Sequence, residues 1–290
     1  MGKPAAEFDL PLDFVRELIR SQHPDLAELQ ITEASSGWDN AMFRLGDTMA
    51  IRLPRRLAAA KLIEREQRWL PLLQKKLPLP VPAPIRVGGP QGSYPWSWSI
   101  CPWIAGETAD RAPLDSDQGT ALAAFLEALH ITPPAEAPRN SYRGVPLVQR
   151  RAAFSRCISA LAARGRALDS RLLQLWEGAL ETPVDAPPTW IHGDLHSRNV
   201  LVTNGRICGV IDWGDLAQGD RATDLAAAWI LFPHADSREQ VMTACRSVSA
   251  TTWLRARGWA LLLAVVVLAS EDPAHSTAAE RTMQRLLDGP

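Results

Sequence analysis

Apolar and polar positions follow two different rhythms along this chain, and the rhythm changes about a third of the way in. Leu12 to Ile19 repeats apolar side chains at helical spacing behind Pro11 and Asp13. Phe43-Arg44-Leu45 and Met49-Ala50-Ile51-Arg52-Leu53 then alternate with a period of two, and Gly46-Asp47-Thr48 between them predicts a hairpin. Leu57 to Gln74 returns to helical spacing, and Pro78, Pro80, Pro82 and Pro84 end it in an extended connector. A second strand pair is predicted around Gly88-Gly89-Pro90, ending in Trp96 to Trp103. Past Gly106 the pattern is mainly helical: Gln118 to His130, Leu147 to Ala163, Arg171 to Leu180, Leu225 to Leu231 and Trp253 to Ala269, interrupted by a Pro-rich excursion from Pro133 to Pro146. Trp190 to Trp213 is the exception, because two apolar runs there flank Asn204-Gly205, a strong two-residue hairpin signal. The pattern predicts an α+β, bilobal chain. A small antiparallel-sheet lobe with one internal helix spans residues 1–102, a hinge 103–107, and a larger, mainly helical lobe 108–290.

Composition narrows the function classes. The chain has 290 residues, 31 Lys+Arg against 32 Asp+Glu, and 46% hydrophobic residues. Neither disorder nor the basic excess of a generic nucleic-acid binder fits these values. The four cysteines, Cys101, Cys157, Cys208 and Cys245, form no CxxC pair and have no nearby His, so zinc is not expected. Isolated thiols, with no basic-then-apolar pattern in Met1 to Leu18, lead to an expected cytoplasmic location. The longest apolar run, Trp259 to Ala269, is shorter than the roughly 20 residues that span a bilayer, so a buried helix and no membrane partner are expected. The expected assembly is a monomer or weak dimer.

The chemistry concentrates in Trp190-Ile191-His192-Gly193-Asp194-Leu195-His196-Ser197-Arg198-Asn199-Val200-Leu201 and in Asp212-Trp213-Gly214. A hairpin brings its two open ends side by side. Asn199 opens the first strand and Asp212 follows the second, so they are expected close together, with Asp194 in the loop just before. His-Gly-Asp alone is compatible with a turn, and Asp-Trp-Gly with a loop closing a hairpin. Together they place three polar residues at one end of an otherwise apolar hairpin. That set suits phosphoryl transfer: Asp212 and Asn199 offer hard oxygen ligands for Mg²⁺, and Asp194 can accept the proton of an attacking hydroxyl.

The spacing H-x-D-x-x-x-x-N followed by D-x-G, carried by His192, Asp194, Asn199, Asp212 and Gly214, resembles the catalytic and metal loops of the protein-kinase fold. The fuller string HGDLHSRNVL…VIDWGD resembles the aminoglycoside phosphotransferase branch, which includes aminoglycoside, macrolide, choline and homoserine kinases. The resemblance implies a bracing role for His192 and an Asp224 that accepts backbone hydrogen bonds from the catalytic loop. Asp224 otherwise reads as a helix cap. His196 has no assigned role, and solvent exposure is its default.

No GxxxxGK[ST] is present, which excludes a Walker-type nucleotide site. In the resembling fold a cation on the third strand pairs with a Glu on the next helix. The matching residues are Arg52 and Glu66, although Arg52 also reads as a solvated edge-strand charge. The phosphate-covering turn would be Ser35-Ser36-Gly37-Trp38-Asp39-Asn40, with Ser36 as a donor, and it lacks the G-x-G-x-x-G of protein kinases. In the hinge, the resemblance puts the adenine-binding carbonyl at Pro102 and the amide at Ile104, with Cys101 lining the back of the base pocket. Pro can supply a carbonyl but no N–H.

The resemblance implies a Mg²⁺-dependent kinase that uses ATP or GTP on a hydroxylated small molecule, an antibiotic of aminoglycoside or macrolide type. A metabolic kinase for choline, homoserine or a sugar, and a catalytically silent nucleotide-binding protein, are the alternatives. From His192 to Gln240, Asp194, Asp212, Asp215, Asp220, Asp224, Asp236 and Glu239 outnumber four arginines, a thin acidic surplus for a cationic acceptor. Trp229, Trp253 and Trp259 read as core residues or as platforms for a ligand ring.

Overall fold

A five-stranded antiparallel sheet organises the first part of the chain in this computed structural model, which describes residues 5–34, 37–270 and 273–289. Its strands are β1 (Ile31–Glu33), β2 (Asn40–Leu45), β3 (Met49–Pro54), β4 (Arg86–Gly88) and β5 (Trp98–Pro102), in the order β1-β2-β3-β5-β4. Phe43, Ile51 and Ile100 lie side by side across β2, β3 and β5. Together with Leu45 and Leu53 they form a core with Val15, Leu18 and Ile19 of helix α1 (Leu12–Gln22). Side chains alternate along a strand, so Arg52, Ser99 and Cys101 share the other face. Helix α2 (Leu57–Leu73) packs with β3 and β5, and its Gln67 donates to the Ser99 hydroxyl at 3.0 Å.

The chain divides into two compact units, one of Gly2–Lys76 with Pro80–Ala105, the other of Leu77–Leu79 with Gly106–Pro290. The second contains β6 (Glu107–Thr108), α3 (Gly119–Leu129), α4 (Arg151–Ala163), α5 (Ser170–Glu181) and β7 (Thr189–Ile191). The hairpin β8 (Val200–Thr203) and β9 (Arg206–Val210) follows, then β10 (Ala217–Gly219), α6 (Ala222–Leu225), α7 (Ala227–Leu231), α8 (Ala235–Ala244), α9 (Ala250–Ala269) and α10 (Pro273–Leu287). Strand β8 is central in a sheet ordered β6-β8-β9, and β7 pairs with β10.

Helix α9 is long and apolar enough to cross a membrane by length and composition. It packs instead against α4, α5, α6 and α10 and carries the fully buried Arg255, whose Nε donates to Asp220 at 2.8 Å. It is therefore a core helix here. Trp229, Trp253 and Trp259 are buried as well, which gives them the core role rather than the ligand-platform one. Two predicted helices have different limits. Leu147–Arg150 is a 3₁₀ turn leading into α4, and the Leu225–Leu231 segment belongs to two short helices that meet at Ala226.

Candidate active site

The β8–β9 hairpin turns at Asn204 (φ 49°) and Gly205 (φ 76°), the doubly left-handed geometry that Asn-Gly favours. At the open end Val200 pairs with Val210, and one residue further out Ile211 N–H donates to the Asn199 carbonyl at 2.9 Å. Asp212 is thereby held next to Asn199. It has φ 61°, a left-handed conformation that short polar side chains tolerate.

Three groups fix the loop between β7 and β8. The fully buried Asp224 carboxylate accepts from His192 N–H (2.7 Å) and Gly193 N–H (2.8 Å). This is the backbone clamp that the resemblance implied. Gly193 has φ 87°, and a Cβ there would lie 2.7 Å from the Asp215 carbonyl, so a side chain is excluded. His192 Nδ1 accepts from Asp194 N–H at 3.2 Å, which leaves Nε2 to donate to Ile211 O at 3.0 Å. His192 thus ties the Asp194 loop to the segment carrying Asp212. Asn199 Nδ2 closes the loop on the Asp194 carbonyl at 2.9 Å.

The Asp194 carboxylate meets Arg143, with Nη2 2.5 Å from Oδ1, and His196, with Nε2 3.3 Å from Oδ2. Burial pushes its pKa up, but the charge of Arg143, followed by His196 and His192, more than offsets this. The carboxyl is held well below its usual range and is ionised at neutral pH, as a proton acceptor must be.

Arg143 and His196 were not anticipated as site residues. His196 sits inside the motif, where its approach to Asp194 was legible in principle. Arg143 had no local signal, because it comes from the Pro-rich excursion 51 residues away. Several bonds build that excursion onto the site. Asn140 Oδ1 accepts from the N–H groups of Tyr142 and Arg143, while its Nδ2 donates to Asp215 at 2.8 Å. Arg143 Nε lies 3.4 Å from the same carboxylate. Gly144 N–H donates to Thr223 Oγ1, and its carbonyl accepts from Asp220 N–H. Gly144 (φ 66°) faces Gly219 so closely that a Cβ on it would lie 2.9 Å from the Gly219 Cα.

In the other unit Arg52 forms a bidentate pair with Glu66, both side chains buried. Cys101 is fully buried near this pair, and burial pushes its thiol up to about 12. Trp103 N–H donates to Thr48 O at 2.8 Å. The alternation of ladder bonds therefore turns the Pro102 carbonyl away from β3, to the side where Ile100 accepts from Ile85. Ile104 follows in the open segment after β5. Ser36 lies outside the described residues.

The model of the phosphotransferase enzyme family matches residues 30–259. The chain belongs to that family. Among curated phosphotransferases, it is 33% identical over 144 residues to an aminoglycoside 3'-phosphotransferase of Salmonella typhimurium, covering 46% of this chain and 52% of the relative. An Escherichia coli aminoglycoside 3'-phosphotransferase is 32% identical over the same shares. The chain thus spans about half the length of the curated relatives it matches. An aminoglycoside phosphotransferase of the 2'' type, solved with GDP and kanamycin, superposes with a TM-score of 0.71 at 19% identity, covering 97% of this chain and all of that one. A macrolide 2'-phosphotransferase from Brachybacterium faecium gives 0.60 at 20% identity, covering 94% and 97%. The likeness shows the kinase-like fold of these phosphotransferases.

The donor set suits the divalent ion that a phosphotransferase employs. The Asn199 amide nitrogen is committed to Asp194, which leaves its carbonyl oxygen as the available ligand atom. Asp212 is exposed, and no donor among the described residues reaches its carboxylate. No group of three or more His, Cys, Asp or Glu that could hold a metal occurs among the described residues. One open carboxylate beside an amide oxygen fits Mg²⁺, which uses one or two protein carboxylates and takes its remaining ligands from water and phosphate.

Proposed function

We propose that this phosphotransferase moves the γ-phosphate of ATP or GTP onto a hydroxyl of a small molecule, an antibiotic of the aminoglycoside or macrolide type. One observation carries the reading. Asp194, Asn199 and Asp212 converge at the open end of a single hairpin, with the Asp194 loop clamped by Asp224 and its carboxylate ionised. The acceptor oxygen forms a bond to the γ-phosphorus as the bond to the β-phosphate oxygen breaks, and the nucleoside diphosphate leaves with that electron pair. The hydroxyl proton passes to the Asp194 carboxylate, which orients the nucleophile. Asn199 and Asp212 would hold Mg²⁺, whose charge offsets that of the phosphates. Arg52, positioned by Glu66, would contact the phosphates, with Ser36 as a covering donor. The Pro102 carbonyl and Ile104 amide would receive the base, and Cys101 would line the wall behind it. A nucleotide co-substrate and four cysteines in the thiol form support a cytoplasmic location.

A coupled nucleotide-consumption screen against aminoglycosides, macrolides and small alcohols tests this reading. Turnover with a hydroxylated acceptor is expected, and Asp194→Ala should lower it by about 10²–10⁴-fold while nucleotide binding persists. Unchanged turnover in Asp194→Ala would overturn the assignment. Turnover confined to choline, homoserine or sugars would place the enzyme in metabolism instead.

A further inference from the structure

Asp194 is tied down at its backbone, and what remains is the rotation of its carboxylate. Its N–H donates to His192 Nδ1, and its carbonyl accepts from Asn199 Nδ2. Arg143 holds one carboxylate oxygen, Oδ1. The last torsion of an aspartate is soft, without narrow staggered wells, so a single donor leaves the group able to swing about that contact. The second oxygen, Oδ2, faces Nε2 of the half-buried His196 at 3.3 Å.

The nature of this second contact depends on which ring nitrogen of His196 carries the proton, and the loop decides it. His196 Nδ1 accepts from Arg198 N–H at 3.2 Å. A ring nitrogen that accepts presents a lone pair and no hydrogen, so the proton of the imidazole sits on Nε2. Nε2–H is then a donor with Asp194 Oδ2 in reach. Asn199 Nδ2 lies 3.4 Å from the same nitrogen, but it is a donor already given to the Asp194 carbonyl and does not compete.

We infer that His196 is a positioning residue for phosphoryl transfer: with its proton confined to Nε2 by Arg198 N–H, it fixes the plane of the Asp194 carboxylate and so aims it at the acceptor hydroxyl. This deepens the phosphotransferase reading and rests on it. Each carboxylate oxygen offers about two acceptor sites. Arg143 and His196 take one apiece, which leaves room for the hydroxyl proton. His196 keeps its own proton throughout; the hydroxyl proton goes to Asp194.

Two substitutions separate the two ends of the ring. His196→Asn keeps an oxygen near the place of Nδ1 and can accept from Arg198 N–H, the turn that Asn makes with the backbone two residues on, but it is too short to reach Asp194. His196→Gln keeps an amide N–H near the place of Nε2 and gives up the Arg198 contact. In steady-state kinetics His196→Asn should lower kcat by about 10- to 100-fold with both KM values within about twofold of the wild type. His196→Gln should regain about tenfold or more of that loss. A residue that only braces the loop would give the reverse order, so His196→Asn turning over as fast as His196→Gln, or faster, would overturn the inference. The acceptor is the one that the nucleotide-consumption screen identifies, with Asp194→Ala as reference. Turnover retained in Asp194→Ala sinks the transfer reading itself, whereas an inactive Asp194→Ala beside an unaffected His196→Asn refutes the role of His196 alone. NMR of the full chain with isotope-labelled histidine rings needs no turnover. In mildly alkaline buffer it should show His196, identified by the signal missing from His196→Gln, protonated at Nε2 alone. A proton on Nδ1 would overturn the inference whatever the kinetics.

Discussion

Arg143 Nη2 stands 2.5 Å from Asp194 Oδ1 and joins a Pro-rich loop to the carboxylate of the His-Gly-Asp motif. A charge-assisted bond of this kind orients as well as ionises. Arg143→Ala should therefore lower kcat by roughly 10- to 100-fold while leaving the KM for nucleotide near its original value. Arg143→Lys, which keeps the charge but not the fork, should recover part of the loss. Steady-state kinetics with each substrate varied separately distinguishes this from a general folding defect.

Asp224 predicts a different phenotype. It is fully buried and holds two backbone N–H groups of the catalytic loop. Asp224→Ala orphans both donors and should cost about 3 kcal/mol or more in denaturant unfolding, with activity lost in parallel. Asp224→Asn retains one acceptor and should fall between.

Acid sensitivity should trace to Asp185. It accepts from Ser249, from Thr251 (2.6 Å), from Thr252 (2.7 Å) and from Arg255 Nη2 (2.8 Å). Burial raises its pKa, but these bonds outweigh burial and hold the carboxyl well below its usual range. The folded pKa is depressed, so the stabilisation is present above the unfolded value of about 3.9 and is lost as pH falls through the folded one. Unfolding free energy should be level from pH 7 to about 5 and drop below about pH 4. In Asp185→Asn the neutral-pH value should fall by about 1–3 kcal/mol and the acid slope should flatten.

The Arg52–Glu66 pair is buried on both sides. Removing one member of such a pair is costly, so Glu66→Ala should destabilise by about 3–5 kcal/mol. If Arg52 serves the phosphates, the same variant should raise the nucleotide KM by about tenfold. Calorimetric binding of ADP and thermal unfolding measure the two effects independently.

Cys101 should resist alkylation in the folded protein. Its thiol is fully buried and pushed up to about 12, and the thiolate is the reactive form. Cys245, also buried and raised to about 12, should behave alike. Iodoacetamide at pH 8 followed by peptide mass mapping should find both unlabelled until denaturant is added.

What was legible in the sequence was local. Asn204-Gly205 announces its turn because few other residue pairs tolerate two left-handed positions, and that turn fixes which ends meet. Asp194, Asn199 and Asp212 could be placed together on this ground alone. Arg52 and Glu66 came from the resemblance to the kinase fold, strand alternation adding only that Arg52 lies on the face opposite Ile51 and Leu53. Arg143 was not found, because its meeting with Asp194 depends on how the excursion from Pro133 to Pro146 docks. That docking rests on bonds such as Gln218 N–H to Pro138 O at 2.7 Å, which no periodicity encodes. Helix α8, ADSREQVMTA, has too mixed a pattern to reveal its buried side. The Trp residues show a related limit. All but Trp38 and Trp103 are buried, so their number reflects core volume rather than a ligand surface.

The Gly144–Gly219 approach has a consequence for how variation at this site would be tolerated. Two backbones in contact leave no thickness to trade, so the reach of Arg143 is set by the absence of side chains behind it. Gly144→Ala changes no group near the chemistry, yet it would lift the arginine off its carboxylate as a shim lifts a hinge. A survey of inactive variants of this enzyme should therefore return alanines and serines at 144 and 219 alongside the acidic motif, and those variants would bind nucleotide normally.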